Sequence, residues 1–295
     1  SGTGEEISDW VEYCNLESLG RWARRRIANG HPKPYNVKYW SIGNENYLGG
    51  EIGAKTPEEW GRFVLETAKM MKRVDPNIEI LAASVPDIDW NVSLLKNAGS
   101  LLSWMSIHGY WDPLWQKNEL SPYEVCMART TEIEQPIAKS RNILGSFGLL
   151  GKVRLAYDEW NLRGWHHPSL NSMEESARAR DKNDINSSYT MADAVFSACF
   201  LNACLRNCDI VGMANFAPSV NARGAIFTHK GGIVLRPTFH VFDLFVNRMG
   251  DEVIETHLSG NPEFIVEHDH AARHVPALDT AATRDSVSGT LQIAI

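Results

Sequence analysis

The sequence lacks the features that would place it in a membrane or on a polyanion. It has no run of about 18 apolar residues, so we expect no membrane-spanning helix. Acidic residues outnumber basic ones by 36 to 29, for a formal net charge of −7. We therefore predict no binding to nucleic acid or to a membrane, since both favour a basic surface. The one basic cluster, Arg21 with residues 24–26, falls late in a predicted helix, where it complements the helix dipole.

Cysteine is scarce and has no motif spacing. The chain has five cysteines, an odd number, and none are spaced as CxxC, which argues against a zinc or redox motif. Most lie in apolar helical stretches, so we expect buried free thiols in a reducing compartment. Residues 1–6 have neither the basic nor the apolar region of a signal peptide. We therefore expect a cytoplasmic location.

Apolar strands alternate with amphipathic helices along most of the chain. Strands are predicted at residues 36–42, 78–84, 104–108, 152–157 and 208–214. Helix starts are predicted at capping sequences with Thr3, Thr56 and Ser121, and further helices at residues 192–206 and 240–246. Such alternation is typical of parallel strands, in a (β/α)8 barrel or an open doubly wound sheet. The barrel is favoured because polar residues follow four different strands and need one common mouth.

The length does not accommodate a whole barrel. Strand starts are about 43 residues apart, so eight units would need about 344 residues, more than the 295 present. The chain also begins with a helix that should follow a strand. Residues 251–295 change to short β-like runs at 263–266, 274–277 and 290–295, which indicate the start of an all-β module. The predicted fold class is α/β, of the (β/α)8 TIM-barrel type, in partial form over residues 1–250.

Two glutamates stand out as candidate catalytic residues. Glu45 follows the first predicted strand and Glu159 follows the fourth, each among aromatic and amide residues with no adjacent Lys or Arg. Glycoside hydrolysis needs two carboxyl groups that flank one bond, one to protonate the leaving oxygen and one to attack or to activate water. The alternative is a pair of unrelated surface or capping carboxylates. The two similar contexts favour the catalytic pair.

The segments around these glutamates resemble the catalytic signatures of glycoside hydrolase family 51, the retaining α-L-arabinofuranosidases. The motifs are YWSIGNEN at residues 39–46 and YDEWN at residues 157–161. The resemblance continues in family order over residues 2–15, 106–110, 190–206, 213–221, 235–242 and 275–283. It implies a (β/α)8 barrel, represented by about its last five strand–helix units, followed by the start of a β-sandwich at residues 251–295.

The resemblance implies a role for each glutamate. Glu45 would be the general acid/base and Glu159 the nucleophile of a double displacement. Retaining enzymes place such carboxyl groups about 5–5.5 Å apart. This chemistry needs no metal and no organic cofactor.

Four further residues are implied as substrate-binding. Asn44 would bond the sugar 2-hydroxyl, Tyr110 would hydrogen-bond the nucleophile, and His108 would line the same pocket. For Trp160, core packing and sugar stacking remain open alternatives.

The expected substrates are terminal α-L-arabinofuranosyl residues of arabinan or arabinoxylan-type polysaccharides and oligosaccharides. The alternatives are another retaining glycosidase of the same clan, such as a β-xylosidase or an endoglucanase, or an inactive sugar-binding fragment. For the full-length protein we expect a homo-oligomer. A histidine cluster near the end is interpreted as a solvated turn rather than a metal site, at His257, His268, His270 and His274.

Overall fold

The computed structural model describes residues 2–112, 120–164, 174–175, 178, 189–268 and 271–295, excluding the side chain of residue 268. One sheet contains five strands in chain order, which confirms the predicted strands: β1 (Tyr39–Ile42), β2 (Glu79–Ala83), β3 (Trp104–Asp112), β4 (Arg154–Arg163) and β5 (Val211–Phe216). The β1–β2 and β2–β3 pairs are parallel.

Helices separate these strands along the chain. They are α1 (Gly4–Asn15), α2 (Arg21–Ala28), α3 (Pro57–Val74), α4 (Ile88–Ala98), α5 (Tyr123–Ala128), a 3-10 turn (Arg129–Glu132), α6 (Glu134–Ser146), α7 (Met191–Arg206) and α8 (Pro237–Arg248). None of the helices in the described part of the chain has the length and apolar character needed to cross a bilayer.

The predicted helix starts are correct at Thr3 and Thr56 and wrong at Ser121. Both threonines form complete capping boxes, each side chain accepting a hydrogen bond from the N–H three residues on. The N-cap of α5 is instead Pro122, which has no side-chain cap. The hydroxyl of Ser121 donates to Asp112 at 2.5 Å. The hydroxyl is therefore bonded to a charged carboxylate and does not cap the backbone N–H groups at the start of α5.

Two strands are longer than the sequence predicts. The apolar runs at 104–108 and 152–157 suggested that the polar residues come after the strands, but β3 continues to Asp112 and β4 to Arg163. The N–H of Gly164 also donates to the carbonyl of Asp112 at 2.8 Å. Asp112 and Arg163 are buried and paired with each other at the ends of these strands, so the polar side chains do not end them. His108, Tyr110 and Glu159 therefore lie within strands.

The chain divides into two compact units. The first comprises Ser1–Ile107 and Ala138–Ala156. In its core, the indole of Trp60 stacks on Phe63 and Trp90, both with ring centroids 5.9 Å away. The Trp60 N–H donates to the carbonyl of Ala83 at 2.9 Å, which ties α3 to the end of β2.

The predicted basic cluster also lies in this unit. Arg26 is completely buried in the last turn of α2. Its guanidinium donates to five main-chain carbonyls, those of Tyr13, Leu16, Glu17, His31 and Pro32. Arg26 therefore fixes the surrounding chain and is not available to bind a phosphate group.

The second unit comprises His108–Ile137 and Tyr157–Ile295. It contains a hairpin of β6 (Ile226–His229) and β7 (Gly232–Leu235). Its last part forms two small antiparallel sheets, built from β8 (Glu252–Ile254), β9 (Glu263–His268), β10 (Ala271–Pro276), β11 (Ala281–Arg284) and β12 (Leu291–Ala294). β9, β10 and β12 overlap the predicted β-like runs. The very short β8 and β11 show too little alternation of apolar and polar residues to be recognised in the sequence. The domain boundary at residue 250 stays a prediction.

The cysteines are partly as expected. All five lie in the described residues and form no disulfide. Cys14, Cys126 and Cys204 are buried, Cys199 is half-buried, and Cys208 is exposed.

Candidate active site

Glu45 lies in a tight turn that directly follows β1. Its backbone is in the left-handed region, with φ of 47°. Buried Asn46 holds this turn, because its Oδ1 accepts the N–H of Asn44 at 3.0 Å and its Nδ2 donates to the carbonyl of Gly53 at 2.8 Å. The carbonyl of Glu45 accepts the N–H of Leu48 at 2.8 Å. The left-handed conformation of a glutamate is strained and is typical of functional positions.

A glycine is required just before this turn. Gly43 has φ of +77°, and a Cβ there would lie 2.1 Å from Asn46 Oδ1 and 2.4 Å from the Trp60 ring. The turn therefore packs directly on the core of the first unit. Asn44 is exposed and Glu45 is half-buried, so the turn presents both side chains near the surface.

Glu159 lies within β4 and is contacted on both carboxylate oxygens. The hydroxyl of Tyr110 donates to Oε1 at 2.6 Å. His108 Nδ1 lies 3.5 Å from Oε2, and His108 Nε2 lies 3.6 Å from Asp158 Oδ1. The imidazole is 7% exposed and the Glu159 side chain 27%, so the contacts form in a largely closed environment. The carboxylate is thus held in one orientation while one side of it stays accessible.

Close packing behind β3 supports this arrangement. Gly109 separates His108 from Tyr110, and a Cβ at this position would lie 2.4 Å from the ring of Trp111. The Trp111 ring packs against Phe196, with centroids 5.1 Å apart. The backbone between the two residues that contact Glu159 is therefore fixed by the core.

Trp160 has a packing role in this structure. Its side chain is completely buried. The indole stacks on Phe200 at 3.7 Å between centroids and also contacts Phe216 and Phe242. Of the two alternatives left open by the sequence, this burial favours core packing over sugar stacking.

The predicted site residues come from both units. In the second unit, His108 and Tyr110 each contact Glu159, and the contact of Tyr110 is the expected hydrogen bond. Asn44 and Glu45 share the turn after β1. Sequence reasoning missed the contact of Asp158 with His108 and the anchoring role of Asn46, although both residues lie inside the recognised motifs.

Asn161 is a second missed anchor. Its buried amide donates to the carbonyls of Ala217 and Arg223, at 3.0 and 3.1 Å. Of the histidine cluster, His274 Nδ1 lies 3.2 Å from Glu263 Oε2 at an exposed position. The side chain of His268 and residues 269–270 lie outside the described residues.

Comparisons with known proteins agree with the motifs. Residues 3–127 match the family model described as "Alpha-L-arabinofuranosidase 1 domain", and residues 158–291 match "Alpha-L-arabinofuranosidase C-terminal domain". The chain belongs to the family 51 α-L-arabinofuranosidases. Glu45 and Glu159 both fall within the matched ranges, and Tyr157 is the one motif residue outside them.

Individual relatives of this family are about 30% identical to the chain over the aligned residues. Alpha-L-arabinofuranosidase C of Emericella nidulans is 30% identical over 96% of this chain and 57% of its own length. The intracellular exo-alpha-(1->5)-L-arabinofuranosidase 1 of Bacillus subtilis is 30% identical over 79% of this chain and 47% of its own length. The chain therefore spans about half the length of these relatives.

A solved structure confirms the fold class. The family 51 α-L-arabinofuranosidase of Thermotoga petrophila superposes with a TM-score of 0.82 at 30% identity, over 99% of this chain and 58% of that one. The fold is of the (β/α)8 TIM-barrel type, represented by about its last five strand–helix units and followed by the start of an all-β sandwich, as predicted.

Proposed function

We propose that this chain is part of a retaining α-L-arabinofuranosidase, in which Glu159 is the nucleophile and Glu45 the general acid/base. The observation that carries the proposal is the carboxylate of Glu159. Within a family-matched segment it receives a hydrogen bond of 2.6 Å from Tyr110 and contacts His108. A carboxylate fixed in this way can attack an anomeric carbon without first reorganising.

The reaction would follow a double displacement. Glu45 donates its proton to the leaving glycosidic oxygen while Glu159 attacks the anomeric carbon, which forms a covalent arabinosyl-enzyme. Glu45 then takes a proton from water, and the water displaces Glu159 from the sugar. Asn44, exposed beside Glu45, bonds the sugar 2-hydroxyl. No step requires a metal ion or an organic cofactor.

The proposed substrates are terminal α-L-arabinofuranosyl residues of arabinan or arabinoxylan-type polysaccharides and oligosaccharides. The Bacillus subtilis relative is named an exo-acting (1->5)-arabinofuranosidase, which supports removal of terminal residues. The same name includes "intracellular", as does that of a Halalkalibacterium halodurans relative, which supports a cytoplasmic location. We also propose a homo-oligomeric full-length protein.

The decisive experiment replaces the two glutamates in the full-length protein. Glu159→Ala should lower kcat on an aryl α-L-arabinofuranoside by at least about 10³-fold, because the covalent step is lost. Sodium azide should restore turnover and give an arabinosyl azide of inverted configuration, since azide takes the place of the missing carboxylate.

Glu45→Ala is the matched control, because it removes the same group from the other proposed role. Its activity should be retained best on substrates with an activated leaving group, which need no proton. Azide should here give an arabinosyl azide of retained configuration. Full activity of Glu159→Ala would contradict the proposal, and so would wild-type turnover of aryl β-xyloside or β-glucan in place of the arabinofuranoside.

A further inference from the structure

A buried ion-pair network lies beyond Glu159 on the same strand. The Arg163 guanidinium donates to both carboxylate oxygens of Asp193, from Nε at 2.7 Å and from Nη2 at 3.0 Å. Its Nη1 donates to the carboxylate of Asp112. The three side chains are 2–5% exposed. All of them lie in the second unit, and none belongs to the site described above.

Both carboxylates stabilise the charged form of Arg163. Burial by itself would lower the pKa of Arg163, but the hydrogen bonds and charge of Asp193 and the charge of Asp112 raise it above its ordinary value. The thiol of Cys126 lies 3.4 Å from Nη1. Burial raises the pKa of that thiol to about 11, so it is neutral at ordinary pH. Removal of the guanidinium would leave two buried carboxylates without a counter-charge, which is strongly destabilising.

The network joins the same two strands as the proposed nucleophile contact. Asp112 follows Tyr110 by two residues on β3, and Arg163 follows Glu159 by four residues on β4. Side chains alternate along a strand, so each pair of residues shares a face. Tyr110–Glu159 and Asp112–Arg163 are therefore successive links between β3 and β4.

The network also anchors the chain segments that adjoin these strands. Asp193 completes the capping box at the start of α7, since its Oδ2 accepts the N–H of the N-cap residue Thr190 at 2.8 Å. The hydroxyl of Ser121 donates to Asp112 at 2.5 Å. One guanidinium thus links the ends of β3 and β4 to the first turn of α7 and to Ser121.

We infer that Arg163 is a positioning residue for the nucleophile. Its contact with Asp112 fixes the spacing of β3 and β4, and its contact with Asp193 holds the guanidinium in place. The spacing of the two strands sets the distance between the Tyr110 hydroxyl and Glu159. The inference rests on the proposed function. It predicts that Arg163 and Tyr110 act on the same step of the reaction, although each takes part in a different contact between β3 and β4.

A double-mutant cycle in the full-length protein tests this coupling. Arg163→Lys keeps the charge, but one ammonium group cannot reproduce three fixed donors, so it is the milder variant; Arg163→Met is the stronger. An aryl arabinofuranoside with a poor leaving group makes formation of the glycosyl-enzyme rate-limiting. We expect Arg163→Lys to lower kcat about tenfold with KM changed less than about twofold, because the transition-state geometry is affected more than substrate binding.

The decisive quantity is the interaction between the two substitutions. With Tyr110→Phe already present, Arg163→Lys should lower kcat at least about fivefold less than it does in the wild type, because the contact it positions is already gone. The matched control is Arg206→Lys. Arg206 also bridges two carboxylates in the second unit, Glu134 at 2.7 Å and Asp279 at 3.0 Å. Its hydrogen-bond partners among the described residues do not include a site residue. Its effect on kcat should be small and independent of Tyr110.

The possible outcomes distinguish a failure of the positioning role of Arg163 from a failure of the proposed function. Independent effects of Arg163 and Tyr110, or an Arg163→Lys protein that melts at a lower temperature but keeps wild-type kcat when folded, would overturn the positioning role alone. If Arg163→Met fails to fold, Arg163→Lys still decides the question, and Asp193→Asn provides a second measurement with the same expectation. A folded wild-type protein without arabinofuranosidase activity would overturn both the proposed function and this inference.

Discussion

The two candidate catalytic glutamates differ in backbone conformation and in local environment. Glu45 lies in a turn with a left-handed backbone, anchored by the buried amide of Asn46. Glu159 lies in an extended strand, and the hydroxyl of Tyr110 and the ring of His108 contact its carboxylate directly. The strained main chain thus constrains the position of Glu45, and direct contacts constrain the carboxylate of Glu159.

This difference agrees with the roles proposed for them. A nucleophile must keep one oxygen aligned with the anomeric carbon, and contacts on both oxygens provide that alignment. A general acid/base must be placed beside the leaving oxygen and must change its protonation state twice in each cycle. A strained turn sets the place of such a residue from the backbone. We therefore expect substitutions around Glu45 to act mainly on stability and those around Glu159 mainly on rate.

The largest effect on stability is expected for Gly43→Ala. The added Cβ would overlap Asn46 Oδ1 and the Trp60 ring, at 2.1 and 2.4 Å, on a backbone with φ of +77°. Strain and overpacking together should lower the free energy of unfolding by about 3 kcal/mol. Urea unfolding of the full-length variant measures this. Gly30→Ala is the control, because φ is +93° but nothing lies within 4 Å of the new Cβ, so it should cost only about 1 kcal/mol. Equal losses for the two variants would show that the packing of the turn on Trp60 is unimportant.

Next in size is the effect of Tyr110→Phe on the rate. Loss of one hydrogen bond to a charged group, worth about 1.5–3 kcal/mol, should lower kcat/KM by roughly 10- to 100-fold with little change in melting temperature. Steady-state kinetics on an aryl arabinofuranoside checks it.

The matched control for this rate effect is Tyr157→Phe. The Tyr157 hydroxyl is buried and has no hydrogen-bond partner in the described part of the chain, so its removal should be neutral or slightly stabilising. A Tyr110→Phe protein with wild-type kcat/KM would contradict a role for Tyr110 in holding Glu159.

The sequence was sufficient to predict the five strands of the main sheet, several of the helices and the two motifs. Capping boxes at Thr3 and Thr56 and apolar runs at the strands are local signals, and the structure contains them where expected. The ends of β3 and β4 were not predictable in this way. Their polar residues continue the strands because of partners distant in sequence, as Arg163 is bonded to Asp112 and Asp193.

The details that define the site could not be predicted from the sequence either. The position of Glu45 depends on a left-handed φ, and no residue type other than glycine signals that conformation reliably. The role of Trp160 depended on whether aromatic rings from later in the chain cover it, and Phe200, Phe216 and Phe242 do so. Ser121 failed as a predicted cap for the same reason, since its partner Asp112 comes from another element.

The smallest expected effect is the difference in unfolding free energy between a glycine and an alanine variant. Its sign should be opposite at the two glutamates. At Glu45 the left-handed backbone penalises any residue with a Cβ, so Glu45→Gly should be more stable than Glu45→Ala by about 1 kcal/mol. At Glu159 the backbone is part of β4, where glycine loses more conformational entropy, so Glu159→Gly should be less stable than Glu159→Ala by about 0.5–1 kcal/mol. All four variants lack one of the two candidate catalytic carboxyl groups, so the comparison uses unfolding free energies, which do not depend on activity. The same sign at both positions would mean that the two glutamates are not held by different means, because only the strain at Glu45 predicts the reversal.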